Sequence, residues 1–232
     1  LAESRTRAEA LVLSGRVRVK GVERPKPGTS VSPDAEVSVA SPEHPWVSRG
    51  GVKLAAGLDA FGVDPSGKVC LDVGASTGGF TDVLLARGAA RVYAVDVGHG
   101  QLHARLRSDP RVVLREGVNA RLLTRKAVPE PCALLVADVS FISLRLVLPA
   151  AVPLLAPEAE AVVLVKPQFE SERGEVGRGG IVRDADVRAR ALARVVSAAE
   201  ALGLTPLGTV ESPITGADGN VEFLAAFRLR NP

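Results

Sequence analysis

The chain of 232 residues is 46% hydrophobic and has a formal net charge of +3, which is enough apolar material for one α/β domain and a small additional unit. Its most apolar stretch, residues 133–156, contains Asp138, Arg145, Pro149 and Pro153. These charges and helix breakers argue against a membrane span, which needs about 20 largely apolar residues.

The few cysteines and histidines bear on compartment and metal binding. Cys70 and Cys132 each adjoin an apolar run, and two scattered thiols do not make a disulfide framework. A reducing cytoplasm is therefore the expected location. His99 and His103 are spaced i, i+4 without a third and fourth Cys or His partner nearby, so no metal site is predicted.

The excess positive charge is concentrated at the N-terminus. Residues 1–53 contain nine Lys or Arg and six Asp or Glu, whereas the remaining 179 residues contain 20 of each group. This distribution favours a polyanion as partner, although a charge run can also be an ordinary solvated face. The basic residues of this segment that are assigned to RNA contact are Arg5, Arg7, Arg16, Arg18 and Lys20.

The N-terminal segment predicts a helix followed by a strand. Residues 2–12 have apolar side chains at helical spacing, and Gly15 ends the helix. Arg16-Val-Arg-Val-Lys then alternates like a half-buried strand. With Ser4-Arg-Thr-Arg-Ala-Glu and Lys26-Pro-Gly-Thr, it resembles the small RNA-binding domain shared by a ribosomal small-subunit protein, pseudouridine synthases and tyrosyl-tRNA synthetases. We expect the first helix of that domain to be missing here. Because the chain also opens at Leu1 with no Met and no export leader, we expect a fragment without its native start.

Residues 27–45 are rich in Pro, Gly and Ser, which predicts a linker that ends near Trp46. The predicted units are residues 1–45, an incomplete RNA-binding domain with its linker, and residues 46–232. In the second unit strands and helices alternate, which favours a doubly wound, mainly parallel sheet covered on both faces.

Seven strands are predicted, near 68–73, 91–96, 111–115, 133–138, 160–165, 205–211 and 221–229. The last two are expected to form an antiparallel hairpin at the edge of the sheet. Helices are predicted near 50–62, 79–87, 101–107, 143–156 and 184–202.

The first of these strands runs into a glycine-rich turn, Leu71-Asp-Val-Gly-Ala-Ser-Thr-Gly-Gly-Phe. Glycines between a strand and a helix let the backbone turn tightly beside a ligand. The next strand ends in Asp96, and an acid at that place can accept both hydroxyls of a ribose. The pattern predicts a nucleotide site.

Dinucleotide enzymes and methyltransferases share this layout, and position 76 separates them. The dinucleotide pattern needs a glycine there so that pyrophosphate can approach the backbone, but this chain has Ser76. Asp72 would repel pyrophosphate and suits a ligand with an ammonium and a sulfonium group. S-adenosylmethionine is therefore the favoured cofactor. Its predicted binding residues are Asp72, Gly74, Ser76, Thr77, Gly78, Gly79, Phe80, Asp96 and, near the adenine, Asn119.

Four ionisable residues stand where such a sheet presents its functional loops. Asp138 and Lys166 end two predicted strands, Lys53 lies in the helix before the first strand, and Glu222 opens the last strand. Each alone suits an ordinary surface position, but together they indicate a site. Arg49, close to Lys53, is assigned to the RNA backbone.

The order of these residues is similar to the Lys-Asp-Lys-Glu set of FtsJ-like 2'-O-ribose methyltransferases. The phrases Val47-Ser-Arg-Gly-Gly-Val-Lys-Leu, Asp138-Val-Ser-Phe-Ile-Ser-Leu and Val165-Lys-Pro-Gln-Phe-Glu closely resemble the TlyA family of ribosomal RNA methyltransferases. The resemblance implies a Rossmann-like, seven-stranded S-adenosylmethionine-dependent methyltransferase that modifies a cytidine 2'-hydroxyl in ribosomal RNA or ribosomal subunits.

By the same resemblance, Lys166 is the residue nearest to the hydroxyl. We expect Lys53 and burial to disfavour the charged amine of Lys166 so that it can act as base, with Asp138 and Glu222 orienting the lysines. The chemistry demands no metal. Two alternatives are an RNA-binding protein with an inactive methyltransferase domain and a membrane-lytic protein, since TlyA relatives carry a haemolysin label. Every predicted helix is an ordinary surface helix, which disfavours the lytic alternative.

Overall fold

The computed structural model describes residues 2, 8–9, 11–12, 17–22, 25–39, 44–216 and 219–230. The chain divides into two compact units, Leu1–Pro45 and Trp46–Pro232. Within the described residues no helix is long and apolar enough to cross a membrane.

The first unit contains a short antiparallel pair of strands, β1 (Val17–Val19) and β2 (Val37–Val39). Residues 8–9 and 11–12 are helical, and Leu11 is buried. Arg18 is exposed on β1, and the exposed Lys20 pairs with Glu36 at 3.1 Å. The predicted RNA contacts Arg5, Arg7 and Arg16 lie outside the described residues.

The second unit is a seven-stranded sheet in the order β5-β4-β3-β6-β7-β9-β8. Its strands are β3 (Val69–Val73), β4 (Arg91–Val95), β5 (Val112–Arg115), β6 (Cys132–Ala137), β7 (Leu155–Val165), β8 (Leu204–Glu211) and β9 (Phe223–Leu229). Strands β3 to β7 are parallel, and β9 is antiparallel to both β7 and β8. The predicted Rossmann-like sheet is confirmed, as is the antiparallel hairpin at its edge.

Helices cover both faces of this sheet. They are α1 (Gly50–Phe61), α2 (Gly79–Ala86), α3 (Ala104–Arg107), α4 (Leu144–Ala151), α5 (Pro167–Glu170) and α6 (Ala185–Ala201). The core has two layers because successive strand side chains point to opposite faces. Cys70 packs in the layer under α1 and α2, whereas its neighbour Leu71 packs in the layer under α4 and α6.

Two predicted helices are shorter than expected. The helix predicted over 143–156 ends at Ala151, and β7 already begins at Leu155. Pro153 lies in the 3₁₀ turn between them, and a proline has no N–H to continue the helix. The helix predicted over 101–107 begins only at Ala104, where His103 caps it by accepting the backbone N–H of Arg105.

Candidate active site

The ends of the central strands form the floor of the site. Because β3, β4, β6 and β7 are parallel neighbours, the loops that follow them lie side by side at the carboxyl edge of the sheet. Gly74 follows β3 with φ +85°, and a Cβ there would clash with the backbone carbonyl of Asp138. A glycine is required at this point because the chains leaving β3 and β6 nearly touch.

A cavity of about 480 Å³ opens above this floor and is called the lysine pocket. All four of the predicted ionisable residues line it, together with Arg49. Its other lining residues are Ser48, Gly50, Gly74, Ala75, Ser76, Thr77, Gly79, Phe80, Ser140, Phe141, Gln168 and Phe169.

The ionisable residues of the lysine pocket form two ion pairs. Lys53 Nζ lies 2.5 Å from Glu222 Oε2, and both side chains are less than 10% exposed. Lys166 Nζ lies 2.6 Å from Asp138 Oδ1, with 12% and 22% of these side chains exposed. The prediction that Lys53 helps to make Lys166 a base stays a prediction, and in the structure the carboxylate of Glu222 pairs with Lys53.

A second cavity of about 460 Å³, called the Asp96 pocket, adjoins the first. The Asp96 carboxylate is held by two backbone N–H groups, from Ser76 to Oδ2 at 2.8 Å and from Gly98 to Oδ1 at 2.7 Å. Each oxygen keeps a lone pair for a ligand hydroxyl. Asn119 also lines this pocket, while its side-chain oxygen caps the following turn by accepting the N–H of Arg121.

The two cavities share a wall. Its residues line both, and they are Gly74, Ser76, Asp138, Ser140 and Phe141. Ser76 has a left-handed backbone, with φ +47°, and its hydroxyl donates to Gln101 Oε1 at 3.1 Å. A ligand that fills both cavities must pass over this wall.

Two of the predicted cofactor residues line neither pocket. Asp72 is fully buried behind the glycine turn, where it accepts a hydrogen bond of 2.6 Å from the hydroxyl of Thr81. Burial raises the pKa of Asp72 to about 7, with nearby Asp138 and Asp96 adding to the effect of burial and the Thr81 hydrogen bond opposing it. Asp72 therefore lies behind the wall, outside both pockets, and its role in cofactor binding stays a prediction.

Gly78 is the second predicted cofactor residue that lines neither pocket. It caps the N-terminus of α2 with φ +97°, and a Cβ there would meet the side chains of Leu102 and Leu106. Its requirement for glycine comes from helix packing, since those two leucines close over it. The remaining predicted cofactor residues, Gly74, Ser76, Thr77, Gly79, Phe80, Asp96 and Asn119, line one or both pockets.

The segments that follow β6 and β7 are joined to each other by hydrogen bonds. Glu170 accepts from the hydroxyl of Ser143 at 2.5 Å and from the backbone N–H of Leu144 at 2.7 Å, which fixes the start of α4. Burial raises the pKa of Glu170 against these hydrogen bonds. Beside this contact the rings of Phe141 and Phe169 lie 5.3 Å apart.

Phe141 is the most conspicuous residue that sequence reasoning left without a role. It is 92% exposed and has a left-handed backbone, with φ +61°. This conformation costs a bulky residue about 1–3 kcal/mol and is found mainly at functional sites. Its position three residues after Asp138, in a phrase already singled out, was the available signal. Ser140, Gln101 and Gln168 were missed in the same way.

Comparison with known proteins bears on this geometry. Residues 46–229 match the FtsJ-like methyltransferase family. The chain is 50% identical over 229 residues to the 16S/23S rRNA (cytidine-2'-O)-methyltransferase TlyA of Mycobacterium tuberculosis, and the match covers 98% of this chain and 85% of that protein. The chain belongs to the TlyA family of FtsJ-like methyltransferases. The family predicted from the sequence is confirmed.

Solved structures resemble this chain in fold. The "Putative hemolysin from Streptococcus thermophilus" is 40% identical, with a TM-score of 0.82 over 99% of this chain and 84% of that one. The N-methyltransferase NodS from Bradyrhizobium japonicum in complex with S-adenosyl-L-homocysteine is 19% identical, with a TM-score of 0.56 over 79% of this chain and 86% of that one. The NodS likeness shows a shared methyltransferase fold.

The described residues also bear on metal binding in this TlyA-family chain. In the part of the chain that the structure describes, no group of three or more His, Cys, Asp or Glu side chains is arranged to hold a metal ion. Cys70 and Cys132 are buried and free, and burial raises the pKa of each thiol to about 12.

Proposed function

We propose that this protein transfers a methyl group from S-adenosylmethionine to the ribose 2'-hydroxyl of a cytidine in ribosomal RNA, in the cytoplasm. The observation that carries the proposal is the pair of lysine–carboxylate contacts in one pocket, next to a second pocket built around Asp96. The rRNA cytidine and its 2'-oxygen come from the printed activity of the M. tuberculosis relative.

The Asp96 pocket and the shared wall suit the donor. Asp96 is positioned by backbone N–H groups, so its free lone pairs have fixed directions for the two ribose hydroxyls of an adenosine. At Gly74 a Cβ would clash with the backbone carbonyl of Asp138, so the glycine lets the chains that leave β3 and β6 approach each other at the wall. Ser76 in place of a glycine disfavours a pyrophosphate at this turn. We place the adenine near Asn119.

S-adenosylmethionine supplies an electrophilic methyl carbon, and the electron pair of the broken carbon–sulfur bond stays on sulfur. A ribose hydroxyl is a poor nucleophile until a base takes its proton as the new oxygen–carbon bond forms. Lys166 is the proposed base because its amine lies at the shared wall within the lysine pocket.

The other members of the lysine pocket would hold this base and the substrate. Asp138 contacts the Lys166 amine directly and fixes its direction. Lys53 and Glu222 form a buried pair, which presents a fixed ammonium group at the pocket wall without adding net charge. We infer that Lys53 orients the ribose by donating a hydrogen bond to one of its oxygens.

RNA would be held by a stacking surface and a basic group at the lysine pocket and, separately, by basic groups of the first unit. Phe141 is almost fully exposed at the wall between the pockets, where a nucleobase turned toward the lysine pocket can stack on its ring. Arg49 is exposed at the edge of the same pocket and suits a phosphate. In the first unit Arg18 and Lys20 are exposed and available to RNA.

The test is methyl transfer by the full chain to ribosomal subunits and to free ribosomal RNA from cells that lack this modification. We expect labelled methyl in 2'-O-methylcytidine at a single kind of site. An RNA fragment with 2'-deoxycytidine at that site is the matched control and should accept no label. Label on a base, or RNA binding without any transfer, would contradict the proposal; the second result would favour the inactive binding protein.

A further inference from the structure

Ser140 lies beside the amine of Lys166 and lines both pockets. Lys166 Nζ donates a hydrogen bond of 2.8 Å to Ser140 Oγ, in addition to its contact with Asp138. We propose that Ser140 is a positioning residue that aims the free electron pair of the Lys166 amine at the ribose hydroxyl. This inference rests on the proposed function, because it assumes that Lys166 is the base.

The geometry of an amine gives the reason. The charged form of lysine has three N–H groups, and the neutral form has two N–H groups and one electron pair. With only the carboxylate of Asp138 as ion-pair partner, one N–H is attracted to it and the electron pair can take either of the two other staggered positions around the Cε–Nζ bond. When Ser140 accepts the second N–H, a single position remains for the electron pair.

The turn that carries Ser140 is anchored at both ends. At its start the backbone N–H of Asp138 donates to the carbonyl of Val73 at 2.9 Å, which ties the turn to β3. At its end Ser143 and Leu144 donate to Glu170, on the segment that follows Lys166. Ser140 is thus held in a fixed relation to the lysine it contacts, which is the condition for directing a reacting group.

The proton transfer is balanced in this arrangement. The ribose hydroxyl loses its proton to the electron pair on Lys166 Nζ while its oxygen bonds the methyl carbon. Lys166 then has three N–H groups, directed at Asp138, Ser140 and the newly methylated oxygen. The ammonium gives up a proton to solvent before the next turnover, and in this step the acceptors Asp138 and Ser140 are unchanged.

The first experiment compares Ser140→Ala, which removes the acceptor, with Ser140→Thr, which keeps a hydroxyl. At alkaline pH, where the rate has reached its plateau, we expect kcat of Ser140→Ala to fall about tenfold, because small errors of alignment slow a reaction strongly. Donor affinity should stay at the wild-type value, and Ser140→Thr should restore most of the rate. An unchanged plateau in Ser140→Ala overturns the inference, and so does a loss that Ser140→Thr shares in full.

The second experiment needs no RNA or turnover. In protein labelled with ¹⁵N in lysine side chains, exchange of the Lys166 Nζ protons with water is measured by NMR. Exchange should be slow in wild type and Ser140→Thr and several-fold faster in Ser140→Ala. Equal exchange in all three proteins overturns the inference even if the enzyme is active. Slow exchange in a wild type that methylates no RNA would instead refute the proposed function while leaving the amine positioned as described.

Discussion

The two pockets are of nearly equal size, about 480 and 460 Å³, but their charges are arranged differently. The lysine pocket contains two lysines and two carboxylates that contact one another. In the Asp96 pocket a carboxylate is instead held by backbone N–H groups. Side-chain pairs can exchange protons and partners, whereas backbone groups stay fixed. The difference supports the proposal that the chemistry takes place in the lysine pocket and that the donor is recognised in the Asp96 pocket.

Replacing the proposed base should have the largest effect, and it should separate the chemistry of the lysine pocket from donor binding in the Asp96 pocket. Lys166→Ala should lower kcat by about 10²–10⁴-fold, the usual range for a general base, because no other group occupies its place beside the wall. Donor affinity should stay close to the wild-type value, since the Asp96 pocket is intact. Single-turnover methyl transfer and equilibrium binding of the donor measure the two effects separately.

Two controls accompany this variant. Lys166→Arg keeps the positive charge and should also be inactive, because a guanidinium does not give up its proton in proteins. Lys68→Ala removes a lysine that pairs with Glu160 away from both pockets and should remain active. Comparable methyl transfer by Lys166→Ala would show that the base is another group.

The two ion pairs of the lysine pocket should differ in their effect on stability. Glu222→Gln leaves the buried Lys53 ammonium without a counter-charge, which costs about 3–5 kcal/mol in free energy of unfolding. Asp138→Asn affects a pair that solvent reaches, and its loss should be about 1 kcal/mol. Urea unfolding followed by circular dichroism measures both.

A double variant separates stability from chemistry in the buried pair. Lys53→Met with Glu222→Gln removes both charges and should recover most of the lost unfolding free energy, but methyl transfer should remain impaired. If the Glu222→Gln variant were as stable as the Asp138→Asn variant, the different burial of the two ion pairs would not affect the free energy of unfolding.

The raised pKa of Asp72, which lies behind the shared wall, predicts that the free energy of unfolding depends on pH. Because burial raises its folded-state pKa from 3.8 to about 7, the folded protein holds a proton that the unfolded chain has lost between these pH values. This contribution to the free energy of unfolding is therefore largest below pH 4, falls as the pH rises and levels off above pH 7. Asp72→Asn is neutral throughout and keeps an acceptor for Thr81.

The variant should accordingly gain stability over wild type as the pH increases. At pH 8 the gain should be at most about 4 kcal/mol, from 1.36 kcal/mol for each unit of pKa difference. Parallel denaturant titrations from pH 5 to 8 test this. Asp59→Asn, at an exposed ion pair with Arg87, is the control and should not reproduce the trend; parallel curves for wild type and Asp72→Asn would refute the assignment.

A substitution in the Asp96 pocket should weaken donor binding and leave kcat almost unchanged, which is the opposite of the effect expected in the lysine pocket. Asp96→Asn replaces a charged acceptor of ribose hydroxyls by an amide, and a hydrogen bond to a charged group contributes about 1.5–3 kcal/mol. The dissociation constant of the donor should rise about 10- to 100-fold, while kcat at saturating donor changes little. Isothermal titration calorimetry and saturation kinetics distinguish this result from a loss of chemistry in the lysine pocket.

Much of this site was predictable because its residues follow strands. The apolar runs before Asp96, Asp138 and Lys166 predict buried parallel strands, and parallel strands bring their carboxyl ends together. The hairpin whose second strand begins next to Glu222 was predictable from its short turn. The family resemblance then added roles that spacing alone does not give.

The remaining features depend on tertiary contacts. The pairing of Lys53 with Glu222, 169 residues away, is invisible in a linear pattern, because spacing along the chain does not show which side chains meet. Asp72 sits in a ligand motif, yet its side chain turns to Thr81 inside the core. The left-handed backbone of Phe141 has no sequence signal, because a phenylalanine disfavours that conformation.

Substitution of Phe141 should have the smallest effect, on RNA binding, and it tests where the two pockets open to RNA. Phe141→Ala should weaken binding of the RNA substrate by about 1–3 kcal/mol, the usual contribution of one base stacked on an aromatic side chain, and so raise KM for RNA about tenfold or more. Donor affinity should be unaffected, because the carboxylate and backbone groups around Asp96 are unchanged. Phe141→Tyr keeps the ring face and should behave like wild type, whereas Leu207→Ala removes another exposed apolar side chain, on β8, and should have no effect. If Phe141→Ala bound RNA normally but lost affinity for the donor, the ring would belong to the Asp96 pocket, and the entry of the nucleobase would lie elsewhere around the lysine pocket.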